Sequence, residues 1–258
     1  PEPLNSFSAM PDSVQVGPCV LTRTKLRGLS NRFAPIPVDE INIAAKALGL
    51  SSSAKTVSGR NFTDTELLTM GRSGGDLSNY KVLHFATHGL TEGQFGCPEA
   101  PAALLTSFGD AGSDMLLSFD EIARLRLDAN LVVLSACETA SAVGERALRL
   151  SGESQPGATL EGLVRSFFSA NARSVMATYW ESSNSGESEM FMESFYSNGK
   201  DQNISTALNS AQKSLMAGAE TSHPFYWGGF FVVGNTTNSM LDSASMPMAS
   251  APSKRKGL

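Results

Sequence analysis

The sequence predicts an α/β protein in which a mostly parallel central sheet is flanked by helices on both faces. Three observations carry this. Short apolar runs alternate with helical patterns along the chain. The runs are almost continuously apolar, as strands covered on both sides require. No apolar run approaches the ~20 residues that span a bilayer. The chain has 258 residues, enough to bury a substantial core, with 41% apolar and 17% charged residues.

The strand candidates are VLHFA (82–86), LVVLSA (131–136), SVMATYW (174–180) and FFVVG (230–234), with a further early strand suggested by VQVGPCVLT (14–22). Helical segments lie between them. Thr63 and Glu66, and again Ser118 and Glu121, have the spacing of a capping box at a helix start. Leu160, Leu163, Val164, Phe167 and Phe168 recur at helical spacing. So do Ile204, Leu208, Ala211 and Leu215, with Gly218 as a stop. Strands alternating with helices imply parallel pairing through helical crossovers.

Composition divides the chain into three parts. Residues 1–15 are rich in Pro, Ser and Met and read as a linker or arm. Residues 16–235 form the folded domain. Residues 236–258 are poor in large apolar residues and read as a disordered tail. The first residue is Pro and no signal peptide is visible, so a fragment of a longer protein is expected. A net charge of −5 gives no general attraction to nucleic acid or to an anionic membrane. The three cysteines, Cys19, Cys97 and Cys137, lack framework spacing, which argues against a disulfide scaffold and for a reducing, cytoplasmic setting.

Chemistry concentrates where the two clearest strands end. One runs KVLHFATHG and stops at His88-Gly89. The other runs LVVLSACETA and leads to Cys137. The carboxyl ends of parallel strands share one edge of the sheet, and open α/β sheets bind ligands along that edge. Imidazole and thiol meeting there form the pair a nucleophilic hydrolase needs. Gly89 has no side chain, so its N–H can approach a substrate oxygen. With the N–H of Cys137 it would make an oxyanion hole.

Around these two residues the wording resembles the CHAT domain, a relative of caspases and separases often found beside TPR repeats. HFATHG (84–89) and LVVLSACETA (131–140) are similar to its His and Cys blocks. LEGLVRSFFSANARSVMATYW (160–180), ISTALNSAQKSLM (204–216) and HPFYWGGFFVVG (223–234) are similar to three later blocks, in the same order. The resemblance implies a caspase-like three-layer sandwich and a cysteine endopeptidase acting through His88 and Cys137, with Gly89 as oxyanion partner. It implies a protein substrate and a regulatory protein or adjoining domain. By family alone that partner would be of TPR type, a gasdermin or a CRISPR effector, with a role in bacterial defence. The family's Gly-Glu-Gly after the Cys block is replaced here by ERALRLSGESQPGATLEG (145–162). Its AGAR turn reads Ala170-Asn171-Ala172-Arg173, where Asn tolerates a positive φ.

The remaining candidates carry plainer expectations. His84 reads as a buried, hydrogen-bonded sheet residue rather than a metal ligand. His223 reads as an anchor for the last strand, Cys97 as an incidental loop thiol and Cys19 as a core residue. Asp120 belongs to the first turn of its helix, where a carboxylate complements the helix dipole. Glu138 has a pocket-lining role as its alternative. Trp180 and Trp227 read as core or pocket wall. Arg165 and Arg173 read as a solvated helix face and terminus. No motif calls for an organic cofactor or a metal. Loops 91–114 and 142–158 are candidates for ordering by a partner. The competing readings are a catalytically silent interaction module and an acyltransferase using the same dyad.

Overall fold

The computed structural model describes residues 12–16, 18–25, 36, 38–93, 97–107, 112–135, 158–180 and 186–241. Two strands, β1 (Ser13–Val16) and β2 (Cys19–Thr22), form an antiparallel hairpin. Helix α1 (Asp39–Ala47) and helix α2 (Asp64–Met70) precede strand β3 (Val82–Ala86). Strands β4 (Gly89–Leu90), β5 (Ala103–Leu105) and β6 (Leu116–Ser118) make a small antiparallel sheet. Helix α3 (Phe119–Arg124), strand β7 (Leu131–Ser135), helix α4 (Ala158–Ser169) and strand β8 (Ser174–Thr178) follow. Helices α5 (Gly186–Gly199) and α6 (Ile204–Met216) lead to strand β9 (Phe230–Gly234).

The central sheet has the order β3-β7-β8-β9. It is mixed: parallel pairing was expected, and the edge strand β9 departs from it. Strands β3, β7 and β8 run parallel, β9 runs antiparallel to β8, and the two smaller sheets are antiparallel throughout. The reason lies in the connections. One helix carries the chain back to start a parallel strand. Two helices, α5 and α6, stand between β8 and β9. The second undoes the return made by the first, so β9 enters from the opposite end.

Helices cover both faces. On one face Leu83, Phe85, Val132, Leu134, Val175 and Ala177 pack against Leu67, Ile122, Leu163 and Phe167 from α2, α3 and α4. On the other, Leu131, Val133, Met176 and Phe230 pack against Ala44 and Leu48 of α1 and against residues of α5 and α6. A third apolar group joins the hairpin to the small sheet through Val16, Leu21, Leu90 and Met115. The small sheet occupies part of the segment 91–114 that composition suggests as one loop: β5 lies within it.

Local signals act as their chemistry predicts. The Thr63 side chain accepts the Glu66 N–H at 3.0 Å. Ser118 and Glu121 complete a reciprocal capping box, with Ser118 N–H donating to Glu121 at 2.8 Å. Asn171 has φ +76°, the left-handed turn that suits Asn or Gly, and donates from its side chain to Leu127 O at 3.0 Å. At the edges of the domain, β1 begins at Ser13, and Met240 is fully buried beyond β9.

Candidate active site

The two strands singled out by the sequence are neighbours, and they run parallel in the register Val82–Leu131 through Ala86–Ser135. The ladder continues just past this pair, where Thr87 N–H donates to Ser135 O at 3.3 Å. His88 follows immediately. It is half-buried, in the two-residue step between β3 and β4. Its carbonyl accepts the Leu105 N–H at 2.8 Å, which ties this corner to the small sheet.

Gly89 is buried and opens β4, opposite Leu104. The Leu105-to-His88 bond makes Gly89–Leu104 a non-hydrogen-bonded antiparallel pair. The Gly89 N–H therefore points away from β5. Cys137 and Glu138 lie outside the described residues, as does most of the loop 142–158.

Beneath the strand tips lies a polar network that sequence reasoning missed. His84, in the middle of β3, is 6% exposed in its side chain, and Glu40, in the first turn of α1, is 13% exposed. Their Nε2 and Oε1 atoms are 3.1 Å apart, although not aligned as a hydrogen bond. On its other side, His84 Nδ1 meets the Tyr196 hydroxyl of α5 at 2.9 Å. The second Glu40 oxygen accepts from the Ser135 hydroxyl at 3.0 Å. Nε2 thus faces the carboxylate while Nδ1 shares a hydrogen bond with the phenol. Burial first, and the charge of Glu40 second, hold the Tyr196 hydroxyl well above the ordinary phenol range. His84 is thus the hydrogen-bonded sheet residue its strand setting implies. The network escaped notice because Ser135 is 95 positions from Glu40, and Tyr196 is 112 from His84.

The other candidates take structural positions. The His223 side chain accepts the Phe225 N–H at the start of the 3-10 turn before β9. Trp180 donates to Phe225 O at 2.9 Å, and Trp227 to Ser222 O at 3.1 Å, so both indoles brace that same turn. Asp120 sits in the first turn of α3. Arg165 pairs with Glu161 on an exposed helix face. Arg173 and Lys81 both reach Asp128. These hydrogen bonds, from Lys81 foremost and then Arg173, hold the Asp128 carboxyl below its ordinary range.

Two of the three cysteines depart from the expectation of free thiols. Cys19 and Cys97 are joined in a disulfide, with Cα atoms 5.7 Å apart. Cys97 is therefore not an incidental loop thiol, and Cys19 is not merely a core residue. The pairing also removes the sequence argument for a reducing setting. Spacing could not reveal it, because the hairpin and the loop after β4 are brought together only by the fold. Cys19, Cys97 and Glu99 form the one close group of three metal-ligating side chains among the described residues, but the sulfurs are bonded to each other. No helix among the described residues is long and apolar enough to cross a membrane.

Comparison with known proteins places the chain in a family. Two curated relatives are similar to the chain, both called Tetratricopeptide repeat protein 28. The one from Mus musculus is 28% identical over 151 residues, and the one from Homo sapiens 28% over 154. Each alignment covers 55% of this chain but only 6% of the relative, so the chain spans a small part of the proteins it matches. The CHAT domain family profile matches residues 5–235. With nearly the whole chain matched, the protein belongs to the CHAT domain family, a group related to the caspase-like peptidases.

Proposed function

We propose that the protein is a cysteine endopeptidase of caspase-like type, with Cys137 as nucleophile and His88 as general acid and base. One observation carries the reading: Ala86 and Ser135 face each other on parallel strands, and counting on two residues from each reaches His88 and Cys137. Both positions coincide with the family's His and Cys blocks.

The chemistry follows from the groups at hand. The Cys137 thiol gives its proton to the His88 imidazole, and the thiolate attacks the scissile carbonyl carbon. The oxyanion is held by the N–H groups of Gly89 and Cys137. The direction of the Gly89 N–H, away from β5, supports its part. His88 returns the proton to the departing amine, leaving an acyl-thioester. Water, deprotonated by His88, then hydrolyses the thioester and restores the thiol.

A partner or adjoining domain gates the groove in this reading. Its support is that both curated relatives are named as tetratricopeptide repeat proteins and extend far beyond the matched region. An adjoining repeat domain of that type is the proposed controller.

The test is cleavage of a diverse peptide library by wild-type and Cys137→Ala protein, each alone and joined to its native flanking domains. The variant should lose at least ~10³-fold in kcat/KM while folding normally. Equal cleavage by both proteins would end the peptidase reading. Labelling of Cys137 by a thiol-directed peptide ketone with no cleavage in any context would favour the silent interaction module.

A further inference from the structure

We infer that Glu40 is a positioning residue for the reaction proposed above, an inference that rests on the Cys137–His88 reading. The carboxylate touches both strands that lead to the dyad. One oxygen accepts from Ser135, two positions before Cys137 on β7, and the other lies against His84, four positions before His88 on β3. The helix that carries Glu40 is itself fixed to the sheet, since Ala44 and Leu48 pack in the same cluster as Leu131 and Val133 of β7.

The last ladder bond seen between the two strands, Thr87 N–H to Ser135 O, is stretched to 3.3 Å. A carboxylate shared by both strands behind their tips adds a side-chain restraint on their relative slide to that of the ladder. Misplacing reacting groups by about 1 Å can cost ~10²-fold in rate.

The arrangement is not a second catalytic centre. In a nucleophilic triad the imidazole stands between hydroxyl and carboxylate. Here the carboxylate stands between the Ser135 hydroxyl and the His84 ring. Tyr196 engages the far side of the ring at Nδ1. What remains is a brace between two strands.

The test reads the Cys137 thiol directly. Cys19 and Cys97 are tied to each other, and peptide mapping by mass assigns the alkylated site. Iodoacetamide alkylation is followed across a pH titration in wild type, His88→Ala, Glu40→Gln, Glu40→Asp and Ser135→Ala, with circular dichroism and thermal melting alongside. In wild type His88 should hold the thiol below the free value of ~8.5. Glu40→Gln should shift the titration toward that of His88→Ala and slow neutral-pH alkylation about tenfold; Glu40→Asp, which keeps both acceptors, should recover part of the loss. Ser135→Ala removes one hydroxyl and should slow alkylation about threefold, which keeps the idea testable if the Glu40 variants do not fold. A folded Glu40→Gln protein with the wild-type titration curve would overturn the inference while leaving the dyad intact. Coincident curves for wild type and His88→Ala would instead remove the dyad itself, and the inference with it.

Discussion

The two faces of β3 are built on different physics. Toward α4, Leu83 and Phe85 enter an entirely apolar core, where the Phe85 and Phe167 rings meet at 5.4 Å. Toward α1 and α5, His84 sits among Glu40, Tyr196 and Ser135 in a mostly buried polar network. The apolar face gains from area removed from water and is indifferent to direction. The polar face gains only if each donor meets its acceptor, and it loses heavily when one is removed. The first face of β3 is held by apolar packing against α4. The second sets where the strand tips sit.

That contrast can be broken at graded cost. On the apolar face, Phe167→Ala should destabilise the protein by ~3–5 kcal/mol, because a fully buried ring leaves a cavity that its neighbours fill only in part. Urea denaturation measures it, and a loss under about 1 kcal/mol would mean that this core is loosely packed. On the polar face, Tyr196→Phe keeps the ring but strips the hydroxyl partner from His84 Nδ1. The cost should be ~1–2 kcal/mol, read in the same experiment. No loss would show that the phenol contributes packing alone.

The smallest effect is expected at the rim, where Asp128 accepts from Lys81 and Arg173. Its carboxyl is held below the ordinary 3.8. A depressed folded pKa contributes stability above the unfolded value, and that contribution disappears as pH falls through the folded one. Asp128→Asn should therefore cost under about 1 kcal/mol near neutrality, since the group is partly solvated. The gap from wild type should close as pH drops below 3.8. A gap that persists in acid would assign the effect to shape rather than charge.

How much of this was legible in the sequence follows the same division. The four central strands announce themselves by apolar runs, and four helices by caps or periodicity, because burial and capping act over a few neighbouring residues. Asn171 declared its left-handed turn by residue type. The position of His88 and Gly89 just beyond β3 could be read because an apolar run leads up to them. Glu40 could not: an acidic residue in a first helical turn looks like any other dipole partner until β3 and β7 are stacked against it. Helix α5 escaped for a related reason. Phe191, Met192, Phe195 and Tyr196 are all buried, but the helix also carries Gly, Ser and Glu, which blur its stripe. The direction of β9 depended on the number of helices before it, so missing α5 also hid the antiparallel edge.

The Cys19–Cys97 bond spans 78 positions and encloses α1, α2, β3 and His88 within one covalent ring. A protease that nicks the chain anywhere inside that ring would not release a fragment. The pieces would migrate together until a reductant parted them. Gels run with and without reductant would therefore report two different histories of the same molecule.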